Sequence, residues 1–164
     1  FEPSSSNLRV LTRNISINRL EDNIKVFPLP LTNKVNQFQI MNESDFVEGG
    51  SLNSFGEKFN FEGEIFENKM NYQIYGTSIN YLIKNNILEI PDYIKIDVDG
   101  NEHLILQGAK EALKKCKGIL LELSDDYFEQ SAVSYNILKE YNFKLESKYY
   151  KSESNQSNQI WYKI

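Results

Sequence analysis

At 164 residues, 40% hydrophobic and 13% aromatic, the chain suits one domain with a single core and is too apolar for intrinsic disorder. The formal net charge is −5 and lysines are scattered among glutamates with no basic stripe, which argues against nucleic acid and anionic membranes as partners. No apolar stretch approaches the ~20 residues of a membrane span, no basic start leads into an apolar signal core, and the lone Cys116 has no internal disulfide partner, so a reducing cytoplasm is the expected setting.

Strand-like and helix-like segments alternate, predicting an α/β layered fold. The chain opens Phe1-Glu2-Pro3 without an initiating methionine. These residues read as the last steps of a strand, so a preceding segment is expected. Ser4-Ser5-Ser6 offers N-caps to a helix reaching about Leu20, with Leu8, Leu11 and Ile15 on one face. Asn23 to Leu29 (NIKVFPL) reads as a short strand, and Val35 to Met41 as another in which Phe38 and Ile40 alternate with glutamines. From Asn42 to Gly63 the pattern weakens into a loop with Gly49-Gly50 and Phe46, Phe55, Phe59 and Phe61, read either as local packing or as a lid over an acceptor.

Glu64 to Tyr75 is strand-like through Met70, Tyr72 and Ile74, and Thr77 or Ser78 caps a short helix to about Asn86. Tyr93 to Val98 is an apolar β-forming run, followed by a helix ending near Lys117-Gly118. Ile119 to Leu123 (ILLEL) suits a strand covered on both faces. A helix from about Ser131 to Tyr141 follows, and then Phe143 to Tyr150 and Gln159 to Ile164 flank the polar SESNQSN loop as an antiparallel hairpin. No internal repeat is apparent, and nothing in the sequence sets an oligomeric state.

Ionisable groups crowd the end of the Tyr93 strand. At about 100° per residue, Ile105, Ala109, Ala112 and Cys116 form one apolar stripe. Glu102 falls on that side and is expected to point inward, while His103 falls opposite and is expected to be solvated. Cys116 reads as a core residue. Asp97 and Asp99, two apart, share one strand face with Val98 on the other. Open α/β sheets place ligands beyond the carboxyl ends of their strands, and a buried carboxylate there needs a partner, which favours Asp97 as a ligand-site residue. Asp99 and Glu102 fit either that site or simple complementation of the helix N-terminus. An oxygen-rich metal site from Asp97, Asp99, Glu102 and His103 is a weak alternative, because no loop of spaced ligands accompanies it.

The stretch KIDVDGNEHLILQGA resembles the signature of FkbM-type methyltransferases, roughly K-I-D-V-E-G-x-E-x-x-V-L-x-G-A, through Lys95, Ile96, Asp97, Val98, Gly100, Glu102, Leu106, Gly108 and Ala109. Asp99 stands where glutamate is more usual. FEPSSSNLRVLTRNISINRL is similar to the family's F-E-P-x-P-x-N segment through Phe1, Glu2, Pro3, Asn7, Leu11, Asn14 and Asn18. YGTSINYLI resembles the stretch before the signature strand, with Asn80 where an aspartate is common, and ILLEL falls where the family has its next strand, often ending in glutamate.

The resemblance implies a class I S-adenosylmethionine-dependent methyltransferase with a Rossmann-like sheet, mostly parallel and closed by the antiparallel C-terminal hairpin. It implies that Glu2 accepts the cofactor ribose hydroxyls, that Pro28 to Leu31, with Pro30 and Leu31 foremost, line the adenine, and that Asp97 lies near the reactive methyl as catalytic residue, with Glu102 as its support. No metal is implied. The family's first strand and its acidic glycine-rich turn have no counterpart in these residues, so the domain spanning 1–164 is expected to be incomplete at its N-terminus. The implied reaction is O-methylation of a small hydroxylated metabolite or a glycan sugar. A non-catalytic α/β interaction domain derived from such an enzyme is the alternative, and a metal-assisted hydrolase a third.

Overall fold

The computed structural model describes residues 1–43, 48–50, 53–56, 70–151 and 155–164. In chain order the elements are α1 (Ser5–Ile17), β1 (Gln37–Glu43), β2 (Asn53–Phe55), β3 (Met70–Gly76), α2 (Ile79–Lys84), β4 (Tyr93–Ile96), α3 (Glu102–Gln107), α4 (Lys110–Leu113), β5 (Gly118–Ser124), α5 (Phe128–Glu140), β6 (Phe143–Tyr150) and β7 (Gln156–Lys163). Phe46, Phe59, Phe61 and the stretch 64–69 lie outside the described residues.

The strands form a four-stranded sheet in the order β4-β5-β7-β6 and a three-stranded antiparallel sheet in the order β2-β1-β3. In the larger sheet β4 and β5 are parallel, Tyr93 opposite Gly118 and Ile96 opposite Leu121, while β7 runs antiparallel to both β5 and β6. The C-terminal hairpin is therefore present, but the expected predominance of parallel pairing is not seen among the described strands. Asn23 to Leu29, expected as a strand, joins no ladder: Asn23 belongs to the turn after α1, and Leu29 sits in a bend. Its links are the Glu2 N–H donating to the Phe27 carbonyl at 3.1 Å and, just beyond, a single parallel bridge from Leu31 to Thr77.

The core gathers around β5, where Leu121 and Leu123 are enclosed between sheet neighbours and helices together with Leu106, Leu113, Leu138 and Trp161. Cys116 belongs to the same cluster, as its helical stripe predicts. The segment after β4 breaks into two short helices instead of one. The Asn80 N–H donates to the Gly108 carbonyl at 2.8 Å, and the Asn80 Oδ1 accepts the Glu111 N–H at 2.8 Å. A side-chain oxygen thus caps α4 from a neighbouring helix, a job that aspartate would do equally well.

Ser4 caps α1 and Ser78 caps α2 by accepting the Asn7 and Tyr81 N–H groups. In β1 the alternation is real, but its inner face is polar-marked. Met41 and Glu43 are buried, while Phe38 and Ile40 lie on the outer face, Phe38 against Tyr75 across the strand pair. Among the described residues no helix is long and apolar enough to cross a membrane.

Candidate functional site

β4 ends at Ile96, and the chain then turns sharply through Asp97, Val98, Asp99 and Gly100 into α3. Asp99 adopts a left-handed φ of 57° and Gly100 a φ of 124°, so the strand geometry that would separate Asp97 and Asp99 from Val98 is lost. All three residues line one cavity.

Glu102 explains how the turn is held. Its carboxylate accepts the Val98 N–H at 3.0 Å, the Gly100 N–H at 3.1 Å, and an N–H from the Gln130 carboxamide on α5. The Gln130 Oε1 in turn accepts the Ser124 N–H at 3.3 Å, which ties the turn to the end of β5. Glu102 is 2% exposed and is not among the cavity-lining residues. Burial, reinforced by the nearby charge of Asp99, outweighs the N–H donors and lifts its pKa to about 7.

His103, expected to be solvated, is only 7% exposed. The helical-wheel reading assumed one covered face, but α5 closes over the other, and the Tyr127 ring meets the imidazole edge-on at 5.9 Å between centroids. Burial holds its pKa below the usual histidine value, against the pull of Glu129. Among the described residues no group of three or more His, Cys, Asp or Glu side chains is placed to hold a metal ion.

The cavity has a volume of about 290 Å³, at the lower end of the roughly 300–1,000 Å³ usual for small-molecule sites. One wall is the N-terminal stretch. Phe1 stacks on Phe27 at 4.7 Å, and Glu2, its Oε1 fixed by the Ser4 N–H at 2.8 Å, lies beside it. A second wall is apolar, made of Leu29, Pro30 and Leu31, and is anchored where the Pro30 carbonyl accepts the Thr77 N–H at 3.2 Å. The three-stranded sheet supplies Met41, Asn53 and Phe55, with Phe55 tied to the turn through its carbonyl and the Asn101 carboxamide at 3.2 Å. Asp97 and Asp99 complete the enclosure.

At the rim, the Asn7 carboxamide grips the Gly49-Gly50 turn from both sides, donating to the Gly50 carbonyl at 3.0 Å and accepting the Gly49 N–H at 2.9 Å. Of the loop from Asn42 to Gly63, Gly50 and Phe55 line the cavity, Phe55 as a buried strand residue.

Asp97 is half open to solvent, with a side chain 38% exposed and paired to Lys95 Nζ at 2.6 Å. Against the upward pull of burial, contacts with Glu122 and Lys95 hold its pKa below the usual aspartate value. Glu2, Pro30, Leu31 and Asp97 thus meet at one cavity, while Glu102 stands behind it. Sequence reasoning missed Met41 and Asn53 as cavity residues, named Phe55 only as one of the loop phenylalanines, and missed Gln130, a polar residue on a helix face with no local signal. Glu122 was visible as the polar interruption in ILLEL and as the glutamate that often ends the family's corresponding strand.

No curated protein and no solved structure matches the chain. The family model for the methyltransferase FkbM domain matches residues 1–148, most of the chain and all of the cavity described above, and the protein belongs to that family.

Proposed function

We propose that the chain is a single S-adenosylmethionine-dependent methyltransferase domain acting on a hydroxyl of a small metabolite or a glycan sugar. The observation that carries this reading is the convergence of Glu2, Pro30, Leu31 and Asp97, far apart in sequence, on one cavity in a chain of this family. The donor set suits the cofactor. Glu2 is a carboxylate able to accept two hydroxyl donors, and Leu29 to Leu31 offer an apolar slot for a flat heteroaromatic ring. When bound, the cofactor supplies an activated methyl group, and the chemistry is its own. The protein's contribution is to bind, align and exclude water, with Asp97 accepting a hydrogen bond from the incoming hydroxyl and fixing its approach.

The parallel pair β4–β5 is then part of a Rossmann-like sheet.

Calorimetric titration with S-adenosylhomocysteine tests the reading. Saturable binding is expected, weakened at least tenfold in Glu2→Ala, since hydrogen bonds to a charged acceptor contribute about 1.5–3 kcal/mol. A folded chain that binds nothing would move the non-catalytic interaction domain ahead. In a chain that does turn over, Asp97→Ala is expected to lower kcat by about 10²-fold or more, and unchanged turnover would remove Asp97 from its role.

A further inference from the structure

The turn that brings Asp97, Val98 and Asp99 to the cavity is held by a chain of hydrogen bonds that starts outside it. The Ser124 N–H, at the end of β5, donates to Gln130 Oε1 at 3.3 Å. That bond settles which way the carboxamide faces, so its NH2 group donates to Glu102 Oε2. Glu102 in turn accepts the Val98 and Gly100 N–H groups at 3.0 and 3.1 Å. Asp99 between them stands at a φ of 57°, where a residue other than glycine stays only when its surroundings hold it.

To make this contact α5 gives up apolar packing. Its buried residues are Gln130, Ser131, Ser134 and Leu138, and only the last is apolar. A helix held by packing alone turns an apolar stripe inward. Gln130 is 1% exposed, and a buried amide offsets its desolvation only where both its ends are bonded, as they are here.

We propose that Gln130 is a positioning residue for the cavity: it fixes the Glu102 carboxylate and, through it, the turn from Asp97 to Gly100 in the outline that receives the ligand. The ligand side of this proposal deepens the methyltransferase reading and rests on it. The hold on the turn does not.

The test compares the parent chain with Gln130→Met, close in size but without the amide, and with Leu138→Val, which loosens the same helix about two turns further along. NMR follows the Glu102 carboxyl carbon through pH and the Val98 and Gly100 amides, and calorimetry follows S-adenosylhomocysteine. In Gln130→Met the Glu102 titration is expected to move up by about half a pH unit or more, because the ionised carboxylate has lost a donor. Both amides are expected to shift, and S-adenosylhomocysteine affinity to fall by about three- to tenfold. Leu138→Val is expected to leave all three readouts as in the parent. Should Gln130→Met not fold, Gln130→Glu carries the same test, with an acceptor facing Glu102 in place of the donor and the same directions of change expected. A Glu102 titration and amides that stay in place overturn the proposal. So do equal changes in the two helix variants, or a turn that shifts while binding does not weaken. If the parent chain binds no S-adenosylhomocysteine, the methyltransferase reading has failed, and the titration and the amides still decide whether Gln130 holds the turn.

Discussion

Glu102→Ala is expected to destabilise the fold by about 3–5 kcal/mol, lowering the thermal midpoint by roughly 10–15 °C. The size follows from what the carboxylate holds. Val98, Gly100 and Gln130 all donate to it, and each donor left unpaired in a site that is 2% exposed pays its desolvation without return. Urea unfolding of the variant against the parent measures the loss, and a change below about 1 kcal/mol would show that water replaces the carboxylate.

The same group gives the fold a pH signature. A folded-state pKa of about 7, above the usual 4.5, means that the folded chain holds the Glu102 proton after the unfolded chain has released it. Stability from this group is full below about pH 4.5, falls as pH rises toward 7 and is flat above, by roughly 3 kcal/mol in all. Glu102→Gln is expected to remove this slope while keeping one acceptor for the turn, which denaturant unfolding at pH 5 and pH 8 would read directly.

Gly108→Ala is the second substitution with a large expected effect, about 2–3 kcal/mol, with weakened S-adenosylhomocysteine binding alongside it. A Cβ at this position would stand 2.2 Å from the Thr32 carbonyl oxygen and 3.1 Å from Asn33 Cα, and these are backbone atoms that cannot swing away. Thr32 directly follows the Leu29 to Leu31 wall of the cavity, so making room for one methyl displaces that wall. Gly49→Ala makes the useful contrast. Nothing lies within 4 Å of its Cβ position, so the cost is only that of a φ of 77°, about 1 kcal/mol. Equal losses in the two variants, read by thermal unfolding, would contradict the close-approach account.

These expectations rest on parts of the molecule that differed in how plainly the sequence announced them. Periodic elements were legible. The Ser4 and Ser78 caps, the buried stripe ending at Cys116, the strand Gly118–Ser124 and the C-terminal hairpin all follow from local pattern. His103 was misplaced because a wheel ranks the faces of one helix and knows nothing of a second helix packed against it. The single helix expected after β4 became two, and the backbone groups at the break, the Gly108 carbonyl and the Glu111 N–H, bond to Asn80 on another helix, a tertiary fact. Asn23 to Leu29 has strand composition but lacks a strand beside it among the described residues, and pairing is what turns extended backbone into a ladder. Glu2, Pro30 and Leu31 were singled out only through family resemblance, and Asp97 also by its place at the end of an apolar strand. Their meeting at one cavity is geometry that no local pattern contains.

The Asn7 clamp on Gly49-Gly50 has a chemical consequence of its own. A carboxamide that gives one N–H and takes another at the same turn imitates a peptide unit, so α1 is joined to the cavity rim as one strand joins its neighbour. Aspartate would lack the donor, and glutamine would overreach. An amide also holds no proton to lose anywhere in the working range of pH. A change of acidity that recharges the carboxyl groups around the cavity therefore leaves this joint as it was. The rim keeps its outline while the field beneath it changes.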